Sequence, residues 1–138
     1  MTCELCVPQP GVIWANDQFS VILVDDANYP GFCRVIWNAH AREMSDLTAP
    51  ERMAIIDAVH QVELAQRDVL QPHKINLASL GNVVPHLHWH VIPRFLDDAH
   101  FPSPVWAQAV RATDPAILAA RRALLPSLTA AIVQRLTS

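Results

Sequence analysis

The chain lacks the compositional features of several specialised classes of protein. Its 138 residues show no internal repeat, low-complexity tract or linker, so they suit a single domain, 1–138, that can bury a hydrophobic core. Basic residues do not outnumber acidic ones, and the net charge of -3 gives no overall attraction to nucleic acid polymers or anionic membranes. Any phosphate-bearing ligand must therefore be held by local groups.

The N-terminus lacks the features of a secretory signal, since MTCELC has an acid where a signal peptide needs cations and an apolar run. No formal charge stands between Lys74 and Arg94, but asparagines, prolines and histidines interrupt that run and exclude a membrane span. The three cysteines, an odd number, fit a reducing compartment better than a disulfide scaffold. We therefore expect a soluble cytoplasmic protein.

The residues that are present indicate a globular protein, because 51% are hydrophobic and only 17% are charged. Alternating patterns and β-branched residues predict strands over 19–26, 32–38, 73–80 and 86–93. The last two are expected to be adjacent and antiparallel, because only a short connection containing Gly81 and Asn82 joins them.

One long helix is predicted after the second strand. Thr48 and Glu51 form a T-x-x-E capping box at its start, and Pro72 ends it. Asp114-Pro115 predicts the start of a C-terminal helix, which Pro126 should divide in two. The order β-β-α-β-β-α indicates an α+β fold with an antiparallel sheet.

The stretch HLHWH places three histidines at alternate positions, His86, His88 and His90. Side chains on a strand alternate between faces, so these imidazoles are expected on one face, about 7 Å apart, with the intervening apolar residues on the other. Two adjacent members could hold one metal ion while the third serves a substrate. The alternative is a row of solvated polar side chains on a half-buried strand.

A cysteine pair, Cys3 and Cys6, forms a C-x-x-C motif near the N-terminus. This spacing suits half of a tetrahedral zinc site, but a redox pair and coincidence remain open.

The motif HLHWHVI resembles the H-φ-H-φ-H-φ-φ signature of the histidine triad (HIT) family of nucleotide hydrolases and transferases. PGFCRVIWNAH (30–40) is similar to the PGHxLVIPxxH strand of that family, and Gly81-Asn82 falls at its Gly-Gln-like pair. The resemblance covers about 3–106 and leaves a helical tail, 114–138. It implies the HIT fold: about five antiparallel strands packed on the long helix, with C-terminal helices, usually as a homodimer. IPRF…HFPSPVW is similar to a bacterial branch often labelled diadenosine polyphosphate hydrolase-like.

The resemblance also implies a catalytic site. His88 would attack the α-phosphorus of a nucleotide and form a nucleotidyl-imidazole intermediate, which water hydrolyses. A backbone carbonyl near the outer histidine, His90, would hold the Nδ1 proton. Asn76 and Asn82 match positions that contact the phosphate or the leaving oxygen, and Asp25 matches a ribose-binding position.

Some members of the superfamily bind structural zinc, and the resemblance implies a ligand set for it here. The set is Cys3, Cys6, His40 and His86, which would leave His88 free for chemistry and His90 for support. The alternative is that Cys3 and Cys6 are reduced thiols on a frayed terminus.

Three residues depart from the family pattern. Phe32 replaces a histidine, Val83 replaces a serine or threonine proton donor, and Trp37 replaces a proline. The first two weaken the case for a proton relay to an amine leaving group and favour a phosphoanhydride substrate such as a dinucleotide polyphosphate. The alternatives are a nucleoside phosphoramidase and a zinc-stabilised nucleotide-binding protein without catalysis.

Overall fold

The computed structural model describes residues 3–138, and the predicted α+β architecture is confirmed. The strands and helices are β1 (Val12–Ala15), β2 (Phe19–Leu23), β3 (Cys33–Trp37), α1 (Ala49–Leu70), β4 (Lys74–Ala78), β5 (His88–Arg94), α2 (Pro115–Arg122) and α3 (Leu125–Thr137). Short 3-10 helices cover Glu4–Cys6 and Met44–Asp46. The strands form one antiparallel sheet in the order β1-β2-β3-β5-β4.

The strand predictions missed one edge of the sheet. β1 was missed because it has only four residues and its pairing with β2 shifts register between Val12 and Trp14, which disrupts the alternating pattern. The four predicted strands exist but are shorter or shifted. β2 ends at Leu23 rather than at residue 26, and β5 begins at His88 rather than at residue 86.

The long helix α1 begins and ends where its capping residues predict. Thr48 Oγ1 accepts a hydrogen bond from Glu51 N, and the Glu51 carboxylate accepts one from Thr48 N, which completes the capping box. At the other end Gln71 adopts a left-handed conformation (φ 50°), and Pro72 follows it. Ile55, Val59 and Val62 form a buried apolar stripe on α1, and Val69 packs against the core but is only partly buried.

The C-terminal tail forms two helices, as predicted, but Pro126 lies in the first turn of α3 and the helices separate at 123–124. By length and composition alone, 115–137 would suffice to cross a membrane. In the fold, α3 packs against α1, and Leu128 and Ile132 are completely buried.

The sheet has two faces of different character. Its back face carries Val21, Val35 and Val91, which are completely buried and pack with the apolar stripe of α1. Its front face points away from α1 and carries Arg34 of β3 and His88 and His90 of β5. The front face is therefore where polar side chains can meet a ligand.

Candidate functional site

His88 and His90 lie side by side on the front face. Their ring centroids are 4.9 Å apart, and both are nearly buried, with 9% and 6% of their surfaces exposed. The apolar residues that alternate with them, Leu87, Trp89 and Val91, belong to the core on the other side. The alternation predicted from HLHWH is therefore correct for two of its three histidines.

His86 does not share that face, and this corrects the expectation of a single row of imidazoles. It precedes β5, and its backbone N–H bonds to the Val84 carbonyl in a turn instead of joining the sheet. The ring is completely buried, and Nε2 donates to the Trp37 carbonyl. Nδ1 points towards the two N-terminal cysteines and His40.

The protonation of His88 follows from one hydrogen bond. Its Nδ1 lies 2.6 Å from the carbonyl oxygen of His86, and a carbonyl only accepts, so Nδ1 carries the proton. Nε2 then keeps its lone pair. Burial lowers the pKa of His88, the hydrogen bond to the His86 carbonyl opposes this, and the positive charge of Arg34 lowers the pKa further. The sequence predicted this carbonyl near His90, but it belongs to His86.

His90 packs beside His88 and between two aromatic rings. Its ring meets Trp106 edge-on (5.1 Å between centroids), and Phe32 approaches from another side (5.8 Å). Burial, then His88 and Arg34, lower the pKa of His90 to about 4, so the imidazole is neutral at pH 7. Its Nδ1 is buried and has no partner among the described residues.

A cavity of about 410 Å³ opens onto these two histidines. Its walls are the N-terminal segment, the loop before β5, Arg34 and Trp106. The structure brings Asn82 to this cavity, where its side chain is exposed, and Val83 beside it is 92% exposed.

Asn76 lies on the front face of β4, opposite Ile92, but it does not line this cavity. Its Oδ1 accepts from Arg94 Nη1 at 2.7 Å, and since arginine only donates, the Asn76 NH2 group must point away from it. Asp25 is exposed just beyond β2 and also lies outside the cavity lining. The substrate-binding roles of both residues stay predictions.

The four predicted metal ligands do come together. Their ligand atoms all lie within 4.8 Å of one another. The short 3-10 helix at Glu4–Cys6 puts Cys3 and Cys6 on the same side, and His40 follows β3. His86, in the turn before β5, supplies the fourth ligand atom.

The three distances from His86 match edges of a tetrahedral zinc site. His86 Nδ1 lies 3.3 Å from His40 Nδ1, 3.3 Å from Cys3 Sγ and 3.5 Å from Cys6 Sγ. In a tetrahedral zinc site, bonds of about 2.05 Å to nitrogen and about 2.3 Å to sulfur separate two nitrogen ligands by about 3.3 Å. They separate a nitrogen from a sulfur ligand by about 3.5 Å. The Trp37 carbonyl fixes the His86 tautomer that a metal needs. This cluster could bind a metal ion.

A buried ion pair supports the loop that ends in Trp106, and the sequence did not predict it. Arg94 and Asp98 are 2% and 1% exposed, and Arg94 Nε lies 2.7 Å from Asp98 Oδ2. Burial raises the pKa of Asp98, but Arg94 and the backbone N–H groups of Phe95, His100 and Phe101 outweigh it and bring the pKa to about 2. Arg94 also donates to the Ser103 carbonyl.

The sequence also missed Arg34, although a signal existed. Arg34 stands between two core residues of a strand, so alternation alone places its charge on the front face, beside His88 and His90.

Comparison with known proteins now identifies the family. A sequence profile for the HIT domain matches residues 9–97, which is more than half of the chain. The chain belongs to the HIT domain family. No curated protein matches it.

Solved HIT structures share its fold. A histidine triad protein from Bradyrhizobium japonicum is 30% identical, with a TM-score of 0.68 over 86% of this chain and 89% of that one. A HIT protein from Sinorhizobium meliloti is 24% identical, with a TM-score of 0.70 over 90% and 87%. A zinc-bound histidine triad family protein from Mycobacterium smegmatis is 21% identical, with a TM-score of 0.65 over 96% and 94%. The predicted HIT fold is therefore confirmed.

Proposed function

We propose that this chain is a nucleotide hydrolase or nucleotidyl transferase that works through a covalent bond between His88 and a nucleotide. The observation that carries the proposal is the 2.6 Å hydrogen bond from His88 Nδ1 to the His86 carbonyl. It leaves the Nε2 lone pair available to attack phosphorus. Family membership supports this reading, because HIT proteins commonly hydrolyse or transfer nucleotides.

The reaction takes two displacements. In the first, Nε2 of His88 bonds to the α-phosphorus while the bond to the leaving-group oxygen breaks, and its electron pair departs with the leaving group. In the second, water attacks the phosphorus, the P–N bond breaks and its electrons return to Nε2. A water proton is released, and the product is a nucleoside monophosphate. The His86 carbonyl holds the Nδ1 proton throughout.

Neutral donors assist these steps. Asn82 borders the cavity, and its amide has no hydrogen-bond partner in the described part of the chain, so it can donate to a phosphate oxygen as charge develops. We assign Asn76 to the same role because Arg94 occupies its oxygen and leaves the NH2 group to donate, although Asn76 lies outside the cavity lining. His90 supports the His88 ring. We assign Asp25 to the ribose hydroxyls on the family resemblance alone.

The leaving group we propose is a phosphate, as in a diadenosine polyphosphate. Phe32 packs its apolar ring against His90, and Val83 has no hydroxyl to donate a proton. An amine leaving group needs such a proton more than a polyphosphate does. The resemblance of the loop before Trp106 to the diadenosine polyphosphate hydrolase-like branch favours the same substrate class.

A substrate panel tests this proposal. Purified protein is assayed on diadenosine tetraphosphate and on an adenosine phosphoramidate, with His88→Ala as the inactive variant and His60→Ala on the exposed surface of α1 as the control. We expect faster turnover of the tetraphosphate, and a loss of about four orders of magnitude in His88→Ala alone. Faster turnover of the phosphoramidate would favour the phosphoramidase. Nucleotide binding without turnover of either substrate would favour a binding protein.

We also propose that Cys3, Cys6, His40 and His86 hold a structural zinc ion. The close approach of their donor atoms supports this, and so does the zinc-bound relative from Mycobacterium smegmatis. When bound, zinc would stabilise the site, because it would link the N-terminal wall of the cavity to His86, whose carbonyl orients His88.

HIT proteins often form dimers, and we propose that this chain is a homodimer. Sedimentation equilibrium of the purified protein tests this directly. A single species at 15.3 kDa would contradict it.

A further inference from the structure

Arg34 is a cation placed directly beside the reacting pair of histidines. In the sheet it faces Ile22 of β2 on one side and His90 of β5 on the other. Its neighbours along β3, Cys33 and Val35, are completely buried in the core. The guanidinium therefore lies on the front face with an apolar neighbour on one side and an imidazole on the other.

No group of the described residues neutralises this cation. The Arg34 side chain takes part in no salt bridge or hydrogen bond there, and its Nε is buried without a partner. Within the described part of the chain, Nδ1 of His90, on the facing strand, is buried without a partner as well. A buried donor without an acceptor costs about 1–3 kcal/mol, and more when it is charged. This cost is offset if a ligand supplies the acceptor.

The position of Arg34 makes that ligand the one bound at His88. Arg34 lines the same cavity of about 410 Å³ as His88, His90 and Asn82. Glu4 is the acidic side chain among the described residues of this lining, and it forms no ion pair with Arg34. An anion entering the cavity therefore meets an unpaired guanidinium.

We propose that Arg34 binds non-bridging oxygens of the substrate's phosphate chain and selects for phosphorylated ligands over uncharged nucleosides. A guanidinium presents a planar fork of donors that matches two oxygens of a phosphate. This inference rests on the proposed function, and it deepens that function by naming the residue that holds the phosphates. The chain as a whole carries a net charge of -3, so a local cation is needed for this task.

Calorimetric titration with AMP and with adenosine tests the proposal without requiring turnover. We compare wild type with Arg34→Gln, Arg34→Lys and Arg34→Leu, which should fit beside Ile22 if the glutamine variant folds poorly. Arg67→Gln on α1 is the charge-matched control, because Arg67 is exposed and remote from the front face. Thermal melts verify that each variant is folded.

The expected result is an AMP affinity lower by about 10- to 100-fold in Arg34→Gln and Arg34→Leu, the effect of losing a charge-assisted hydrogen bond. Adenosine affinity should stay unchanged, Arg34→Lys should recover part of the AMP affinity, and Arg67→Gln should match wild type. Equal AMP affinity in folded Arg34→Gln and wild type would overturn the proposal, as would wild type that binds no AMP.

A parallel assay separates this inference from the proposed function. Wild type and Arg34→Gln are mixed with diadenosine tetraphosphate and quenched in base, and nucleotide bound to His88 is measured. If wild type forms the adduct and Arg34→Gln forms it at the same rate at limiting substrate, the Arg34 proposal fails while the nucleophile stands. If wild type forms none but AMP affinity still depends on Arg34, the phosphate site stands without the chemistry.

Discussion

The back face of the sheet is a packed apolar core, whereas the front face, built from the same strands, borders a cavity. On the back face, Val21, Val35 and Val91 are completely buried and reach the close packing of a core. On the front face, His88 and His90 are almost as buried, yet they border a cavity, and His90 has a nitrogen without a partner in residues 3–138. Burial on the back face stabilises the fold, whereas burial on the front face keeps imidazoles neutral and ready for a ligand.

Two arginines of the front face repeat this contrast. Arg94 is surrounded by acceptors from Asp98, Asn76 and Ser103, which makes it a structural cation. Arg34, on the neighbouring strand, has no such acceptor among the described residues. A charged side chain that is fully paired within the protein holds the fold, and one that is left unpaired beside a cavity indicates a ligand.

The largest loss of stability is expected from Asp98→Asn, because it leaves the Arg94 guanidinium buried without its charge partner. We expect the free energy of unfolding at pH 7 to fall by about 3–5 kcal/mol, measured by urea denaturation. The folded pKa of Asp98 is lowered to about 2, so its contribution is complete above the unfolded value of 3.8 and is lost as the pH falls towards 2. Asp68→Asn, at an exposed pair with Arg135, is the control. Equal losses from both variants would contradict the structural role of Arg94.

A substitution on the helix behind the sheet should affect stability without affecting chemistry. Ile55 is completely buried and Ile56, beside it, is 43% exposed. We expect Ile55→Ala to cost about 2–4 kcal/mol in urea denaturation, and Ile56→Ala less than about 1 kcal/mol. Turnover per folded molecule should be unchanged in both. A selective loss of turnover in folded Ile55→Ala would show that the two faces are not independent.

Cys3→Ser tests the link between the N-terminal segment and the histidine strand. We expect wild type to contain about one zinc ion per chain and Cys3→Ser to contain little, because one of four tetrahedral ligands is replaced by a weaker one. Cys33→Ala is the control, since Cys33 is buried in the core away from the cluster. Metal analysis by mass spectrometry gives the result, and equal zinc in wild type and Cys3→Ser would exclude the site.

The smallest effect is expected at the cavity rim. Val83→Ser adds a hydroxyl to a residue that is 92% exposed, so stability should change by less than about 0.5 kcal/mol. If a missing proton donor limits amine leaving groups, the variant should gain turnover of the phosphoramidate relative to the tetraphosphate. Val83→Ala is the matched control. An equal ratio of phosphoramidate turnover to tetraphosphate turnover in all three proteins would show that Val83 does not affect specificity.

Local patterns predicted much of this fold. Alternation placed His88 and His90 opposite the core, and the Thr48–Glu51 box located the start of α1, because both signals depend only on neighbouring residues. β1 was not predicted, because four residues with an irregular register show little alternation of polar and apolar side chains.

The rest depended on contacts between distant segments. Alternation failed at His86 because a turn precedes β5, and periodicity cannot reveal where a strand begins to pair. The proximity of Cys3 and Cys6 to His40 and His86 was predicted from the family resemblance. The spacing of these residues along the sequence did not indicate it. The unpaired state of Arg34 is visible only when the surrounding acceptors are known.

His88 is proposed as the nucleophile, and trapping the covalent nucleotide on its imidazole tests this assignment. Protein is mixed with diadenosine tetraphosphate, quenched in base to preserve an acid-labile P–N bond, and digested for peptide mass spectrometry. We predict an added adenylyl group on His88 in wild type, absent from His88→Ala and lost on acid treatment. Turnover without any such adduct, or an adduct on another histidine, would contradict the account.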